Sequence, residues 1–201
     1  MNILIFDTET SGLPLYKEPS EDPRQPHIVE IAALLHDDTT GELVDQLHAI
    51  VRPDGWTIPD DVAAIHGITT ERAMDEGRPE YEVLHDLLAL HRRAELRVAH
   101  NEDFDQRIVR IAIKRYGHGA HGWDRLTQEE RDAIADAFKA APKYCTMKAD
   151  AKSRGVKWPK LVEAYKHHTG KDLGEDAHSA LFDARACAEV YFAMNPIAAV
   201  A

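Results

Sequence analysis

The sequence predicts an α/β fold, a mixed central β-sheet flanked by α-helices. Three observations point to it. A continuous apolar stretch lies within residues 2–7 (NILIFD), the pattern of a strand buried on both faces. Two further strand-like runs follow before the first long helical pattern. Beyond residue 79, helical and strand-like patterns alternate, an order that suits one sheet with strands of both directions.

The second strand is expected at 27–36 (HIVEIAALLH) and the third at 43–52 (LVDQLHAIVR), closed by Pro53. Between the first two, residues 14–26 carry Pro14, Pro19, Pro23 and Pro26 and read as an extended surface loop. A short helix after Pro59 has Asp60 and Asp61 in its first turn and ends near Gly67. From Pro79 to Arg93, Val83, Leu84, Leu87, Leu88 and Leu90 recur at helical spacing. A fourth strand at 96–99 leads into a helix over about 102–116. Residues 117–122 (GHGAHG) read as a solvent loop, although His118 and His121 also suit a metal-binding loop. Thr127 and Glu130 form a capping-box pair before a helix to about Ala141. A short strand at 143–147 and helices near 148–154, 158–169 and 177–194 complete the chain. No linker divides it, so a single domain is expected at 1–195, with a helical insertion at about 117–142 and a short tail at 196–201.

The 201 residues suffice for a real hydrophobic core, and the 44% hydrophobic content excludes a disordered acidic tail. No run approaches the roughly 18 apolar residues of a membrane-spanning helix. The strand-like run beginning at Asn2 leaves no room for a leader, and Cys145 and Cys187 are too few for a disulfide framework. A cytoplasmic protein with no membrane partner is therefore expected. The net charge of −11 argues at first against nucleic acid, but it is unevenly spread. Residues 1–100 hold 8 basic and 20 acidic side chains, whereas residues 101–201 hold 16 and 15. Within 143–171, eight lysines and arginines face only Asp150 and Glu163. That stretch fits either solvated helix faces or a guide for a nucleic-acid strand.

Three segments can carry chemistry. Asp7 and Glu9 follow the first apolar run two residues apart, so both carboxylates point to one side of an extended chain. Ionised groups at the end of a buried strand need a positive partner, and a hard divalent cation with oxygen ligands is the economical one. The pair also fits a simple turn cap before Gly12-Leu13-Pro14, and spacing alone does not choose. In His100-Asn101-Glu102-Asp103-Phe104-Asp105, three acids crowd a strand-to-helix junction. Asp105 shares a helix face with Ile108, Val109 and Ala112 and points inward. Asp103 aligns with Gln106, Arg107, Arg110 and Lys114 on a solvated face. Glu102 and Asp103 read as first-turn acids that complement the helix dipole. In the last helix, Asp183 flanks a stripe of Leu181, Ala184, Ala188 and Tyr191, beside small residues that permit close approach of another element. His178 is about 140° away from it around a helix, so it belongs to the start of that helix or the loop before it.

Together these segments resemble the DEDDh, or DnaQ-like, 3′–5′ exonucleases with a ribonuclease H-like fold. The motifs match as Phe6-Asp7-Thr8-Glu9-Thr10-Ser11-Gly12-Leu13, His100-Asn101-x-x-Phe104-Asp105 and His178-x-x-x-x-Asp183. Ile65-His66-Gly67-Ile68-Thr69 and the tract from Trp158-Pro159-Lys160-Leu161 to Thr169-Gly170-Lys171 also resemble family segments. The resemblance implies that Asp7, Glu9, Asp105 and Asp183 organise two divalent metal ions, Mg²⁺ or Mn²⁺. It implies that His178 is the general base, because Ser179 stands where the sister subgroup has tyrosine. Thr10, Gly12, Leu13, His66, Asn101 and Phe104 are the implied substrate contacts. The Thr10–Leu13 segment, His66 and Phe104 each also have a plain structural reading, as turn backbone, helix-end histidine and core phenylalanine. Glu102 and Asp103 depart from the small residues common in the family and add negative charge near the site. The implied substrates are single-stranded or frayed 3′ ends, DNA before RNA, with nucleoside 5′-monophosphates as products and a DNA polymerase as a possible associate. An exoribonuclease and an inactive nucleic-acid-binding or polymerase-binding module are the alternatives.

Overall fold

The computed structural model describes residues 1–115, 126–174 and 179–197. The GHGAHG run, His178 and the last residues of the tail lie outside the described residues. Among the described residues six strands are formed: β1 (Asn2–Thr10), β2 (Ile28–Asp37), β3 (Leu43–Arg52), β4 (Arg78–Pro79), β5 (Leu96–Ala99) and β6 (Lys143–Cys145). The helices are α1 (Asp60–His66), α2 (Thr70–Glu76), α3 (Glu80–His91), α4 (Glu102–Arg115), α5 (Gln128–Ala140), α6 (Thr146–Arg154), α7 (Leu161–Thr169) and α8 (Ala180–Met194). The strands form one sheet in the order β4-β3-β2-β1-β5-β6. β2 is antiparallel to both β1 and β3, whereas β5 runs parallel to β1 and to β6. The sheet is mixed, as the order of patterns predicts.

Alternation along β1 divides the core into two layers. Leu4 and Phe6 pack with Leu84 and Leu87 of α3, Ile108 and Val109 of α4, and Phe138 of α5. Ile3 and Ile5, with Val98 of β5, pack on Cys187, Ala188 and Tyr191 of α8. Burial of each such side chain contributes about 1.5–3 kcal/mol. Because side chains alternate, Asp7 and Glu9 continue the α8 face, while Thr8 continues the face covered by α4. The small residues Ala180 and Ala184 lie against Ala32 and Leu34 of β2, which lets the start of α8 come close to the sheet.

Several boundaries differ from the sequence expectation for physical reasons. α7 begins at Leu161 rather than 158, because Trp158 has a positive φ of 50° and Pro159 disfavours a helical residue before it. β6 stops at Cys145, and the fully buried Thr146 already opens α6. α2 and β4 were not expected. α2 is started by Thr69, whose hydroxyl accepts from the Arg72 backbone N–H, and β4 has only two residues, too short for any periodicity.

Glu102 is a first-turn acid of α4, as expected, but it is fully buried and bonded to the fully buried Arg97 at 2.8 Å. Lys143 lies 3.0 Å from its other oxygen, and Arg97 also donates to the Phe138 carbonyl and sits over that ring. Asp103 does match the expectation; it is exposed and held by Lys143 and Lys148.

Candidate active site

β1 delivers Asp7 and Glu9 to the end of the sheet, where the ladder to β2 slips between Glu9 and Thr10. Such a bulge ends regular pairing and re-aims side chains. Asp183, in the first turn of α8, meets them: one carboxylate oxygen from each of Asp7, Glu9 and Asp183 lies within 4.8 Å of the others. Asp105 comes from the first turn of α4 and is only 2% exposed. Its Oδ1 accepts two hydrogen bonds from one residue, at 3.0 Å from the Thr8 backbone N–H and at 2.8 Å from the Thr8 hydroxyl. The residue between the two β1 acids therefore fixes the orientation of the α4 acid.

Packing these carboxylates together is costly, and their proton affinities record it. Burial, then the charges of Asp105, Asp183, Glu9 and Glu30, push Asp7 far above the usual carboxylate range. Burial and the charges of Asp183, Glu30 and Asp105 push Glu9 to about 8. Burial pushes Asp105 to about 7, and the two Thr8 hydrogen bonds only partly oppose it. The charges that act on Asp7 and Glu9 are all carboxylates. An all-oxygen donor set with no lysine or arginine among the charges that act on it from the described residues suits a hard divalent cation, so the residues present fit one.

Sequence reasoning missed Glu30. It lies opposite Glu9 in the β1–β2 ladder and is 4% exposed. Its Oε2 accepts from the Ala180 backbone N–H at 2.7 Å, and its Oε1 is 2.7 Å from His48 Nε2. The available signal was a single acid within the otherwise apolar run IVEIAALL.

The expected substrate contacts fall in different settings. Thr10 Oγ1 donates to the Gly12 carbonyl at 2.8 Å, and Gly12 takes a φ of 157°, which side chains disfavour. Leu13 is 77% exposed. His66 is buried at the end of α1; its Nδ1 accepts from the Ile68 N–H, so Nε2 carries the proton and is buried with no partner among the described residues. Burial holds the His66 pKa below the ordinary histidine value. Asn101 is exposed in the left-handed region, with φ of 72°, and Phe104 is half-buried against the main core. A cavity of about 570 Å³ between α3 and α5, lined by Leu88, Ile134 and Phe138, contains none of the four acids.

A mixed sheet with acids from its first strand, from the helix after β5 and from the last helix defines the fold class, ribonuclease H-like. The chain belongs to the RNase_T family, whose family model, described as "Exonuclease", matches residues 4–191. It is 32% identical over 183 residues to the uncharacterized exonuclease CP81 of Escherichia phage 186, covering 90% of this chain and 82% of that protein. Among solved structures it is similar to Exonuclease X in complex with 5′ overhanging duplex DNA. That match has a TM-score of 0.61 and 24% identity, over 99% of this chain and 94% of that one. The nuclease domain of 3′hExo, a DEDDh family member bound to rAMP, aligns with a TM-score of 0.67 and 19% identity. It covers 96% of this chain and 91% of that one. The chain is thus a nuclease, a hydrolase that acts on nucleic acid. No described helix is long and apolar enough to cross a membrane.

Proposed function

We propose that the protein is a divalent-metal-dependent 3′–5′ exonuclease that releases nucleoside 5′-monophosphates from single-stranded or frayed DNA ends. The observation that carries this reading is the convergence of Asp7, Glu9 and Asp183 within 4.8 Å, with Asp105 oriented beside them by Thr8. Asp7, Glu9 and Asp183 would hold one Mg²⁺ or Mn²⁺; Asp7 and Asp105 would hold a second. Such a pair offsets charge on the phosphoryl oxygens and lowers the pKa of the attacking water.

The remaining roles fall to this chain's own groups. His178 takes the proton from the attacking water, a task suited to an imidazole that titrates near pH 6.5. The water oxygen bonds to phosphorus, the bond to the 3′ oxygen breaks, and the shortened strand leaves with a 3′ hydroxyl. The turn from Thr10 to Leu13 offers backbone groups to the terminal nucleotide, with the exposed Leu13 side chain against its base. His66 Nε2–H, a buried donor with no partner among the described residues, is suited to bond that nucleotide. The likeness to Exonuclease X, with DNA in its complex, supports DNA as substrate.

The test is a set of 5′-labelled substrates (single-stranded DNA, matched and mismatched duplex, and RNA) incubated with Mg²⁺, with and without chelator. A descending ladder on DNA, abolished by chelator and by Asp7→Ala, supports the reading. Internal cuts, or undiminished cleavage by Asp183→Ala, overturn it.

A further inference from the structure

The basic stretch 143–171 is mostly neutralised in the fold. Lys143 and Lys148 pair with Asp103, Arg154 with Asp150, Lys166 with Asp172 and Lys171 with Glu189. Lys152, Lys157 and Lys160 form no ion pair among the described residues. Between the last two stands Trp158, which is 59% exposed although a large indole ordinarily loses most of its surface on folding. Its backbone has φ of 50°, a conformation that bulky residues avoid and that persists only where the surroundings hold it.

The surroundings do hold it. Pro159 is buried, and its carbonyl accepts a hydrogen bond from His100 Nε2 at 3.0 Å. The carbonyl acceptor places the proton on Nε2, and the Thr146 hydroxyl, 2.9 Å from His100 Nδ1, holds the ring from the other side. His100 directly follows β5, two residues past the last registered pair of the β1–β5 ladder, Ile5↔Val98. Asp7 is likewise two residues past that pair. The indole is therefore carried by a braced turn that is tied to the same end of the sheet as the carboxylates.

An exposed aromatic face flanked by unpaired ammonium groups matches one chemistry, a base to stack and phosphates to attract. We propose that Trp158, with Lys157 and Lys160, forms a subsite for single-stranded nucleic acid that grips a nucleotide upstream of the one being removed. The proposal rests on the exonuclease reading above and adds a strand-holding site to it. Stacking and phosphate attraction do not depend on the sugar, so DNA and RNA strands both fit this subsite.

The test compares wild type, Trp158→Ala, Trp158→Phe and the double variant Lys157→Gln/Lys160→Gln. Anisotropy of labelled dT12 and rU12 without metal reads strand binding. KM for dT12 and hydrolysis of the p-nitrophenyl ester of thymidine 5′-monophosphate, with Mg²⁺, read the reaction with and without an upstream nucleotide. Trp158→Ala is expected to weaken binding of both strands and raise KM for dT12 about tenfold, with the ester cleaved as by wild type and Trp158→Phe recovering most of the loss. The double variant is expected to lower the slope of log affinity against log salt by about 1.4. Unchanged strand binding in Trp158→Ala overturns the proposal, as does an equal loss on ester and oligonucleotide. Self-association of wild type that Trp158→Ala abolishes also overturns it, because the face then belongs to a second copy. If wild type cleaves neither substrate, the exonuclease reading fails, while anisotropy still decides the subsite.

Discussion

Glu30 and Ala180 are 150 residues apart in sequence, yet the Glu30 carboxylate accepts the backbone N–H of Ala180 at 2.7 Å. The bond joins β2 to the first residue of α8, the helix that carries Asp183. A charged acceptor at a helix N-terminus meets both an unsatisfied donor and the positive end of the helix dipole. Ser179, the N-cap residue of α8, makes no side-chain cap of its own to the helix backbone, so Glu30 serves that end from the sheet.

Glu30→Ala is accordingly expected to cost about 1.5–3 kcal/mol, the range for a hydrogen bond to a charged group. Urea denaturation measures the stability. If Glu30 places the start of α8, kcat also falls in the fully folded variant, and Glu30→Gln, which keeps an acceptor oxygen, recovers part of it. A stability loss without any change in kcat would leave Glu30 a structural residue only.

Thr8→Val removes the hydroxyl that bonds Asp105 but keeps the backbone bond and the shape. Loss of a group that orients a metal ligand costs about 10–100-fold in metal affinity or activity. Titration calorimetry with Mn²⁺, together with single-turnover cleavage, checks it. Asp103→Ala, whose carboxylate pairs with Lys143 and Lys148 instead, is expected to retain activity, whereas Asp105→Ala loses it.

The raised carboxyl groups make stability depend on pH and metal together. Glu9 at about 8 and Asp105 at about 7 lie above their unfolded values, so the folded chain holds protons that the unfolded chain has released. Without metal, the contribution of these two groups to stability is fully present below their unfolded pKa values near 4 and is lost as pH rises through 7 and 8. A divalent cation competes with those protons and binds more tightly as pH rises. Thermal melts from pH 5 to 9 in chelator should show a declining Tm, and added Mn²⁺ should raise Tm most at the alkaline end. A Tm in chelator that is flat across pH 6–8 would contradict the shared burial of these acids.

Glu102→Ala leaves Arg97 buried and without its carboxylate, which is expected to cost about 3–5 kcal/mol. Denaturation at fixed pH reads this directly. The folded fraction should keep its kcat, because Glu102 is bonded to Arg97 and lies 3.0 Å from Lys143 rather than joining the metal-ligand carboxylates. A fall in kcat without destabilisation would place Glu102 in the site instead.

Much of the fold was legible because its signals are local. Apolar runs and helical spacing located β2, β3, β5, α3 and α4 to within a residue or two, and the start of β1, which runs three residues past the expected 2–7. Period-2 and period-3.6 geometry placed Asp7, Glu9 and the inward-facing Asp105. The capping box at Thr127 and Glu130 formed as expected. β4, α2 and the late start of α7 were not legible, since two residues show no period and the Trp158 turn is held by His100 from another element.

By itself, then, the sequence determined the mixed α/β layout, the strand-end position of Asp7 and Glu9, and the choice of Asp105 over Asp103, all matters of spacing along one segment. Only the tertiary structure decided that Asp183 reaches within 4.8 Å of the β1 acids, that Glu30 holds α8, and that Glu102 is buried against Arg97. It alone divided the basic stretch into the lysines and arginine with an ion-pair partner and Lys152, Lys157 and Lys160, which have none among the described residues. The physical reason is shared by all of these: each depends on which distant charge or donor a side chain meets, and chain packing sets that meeting.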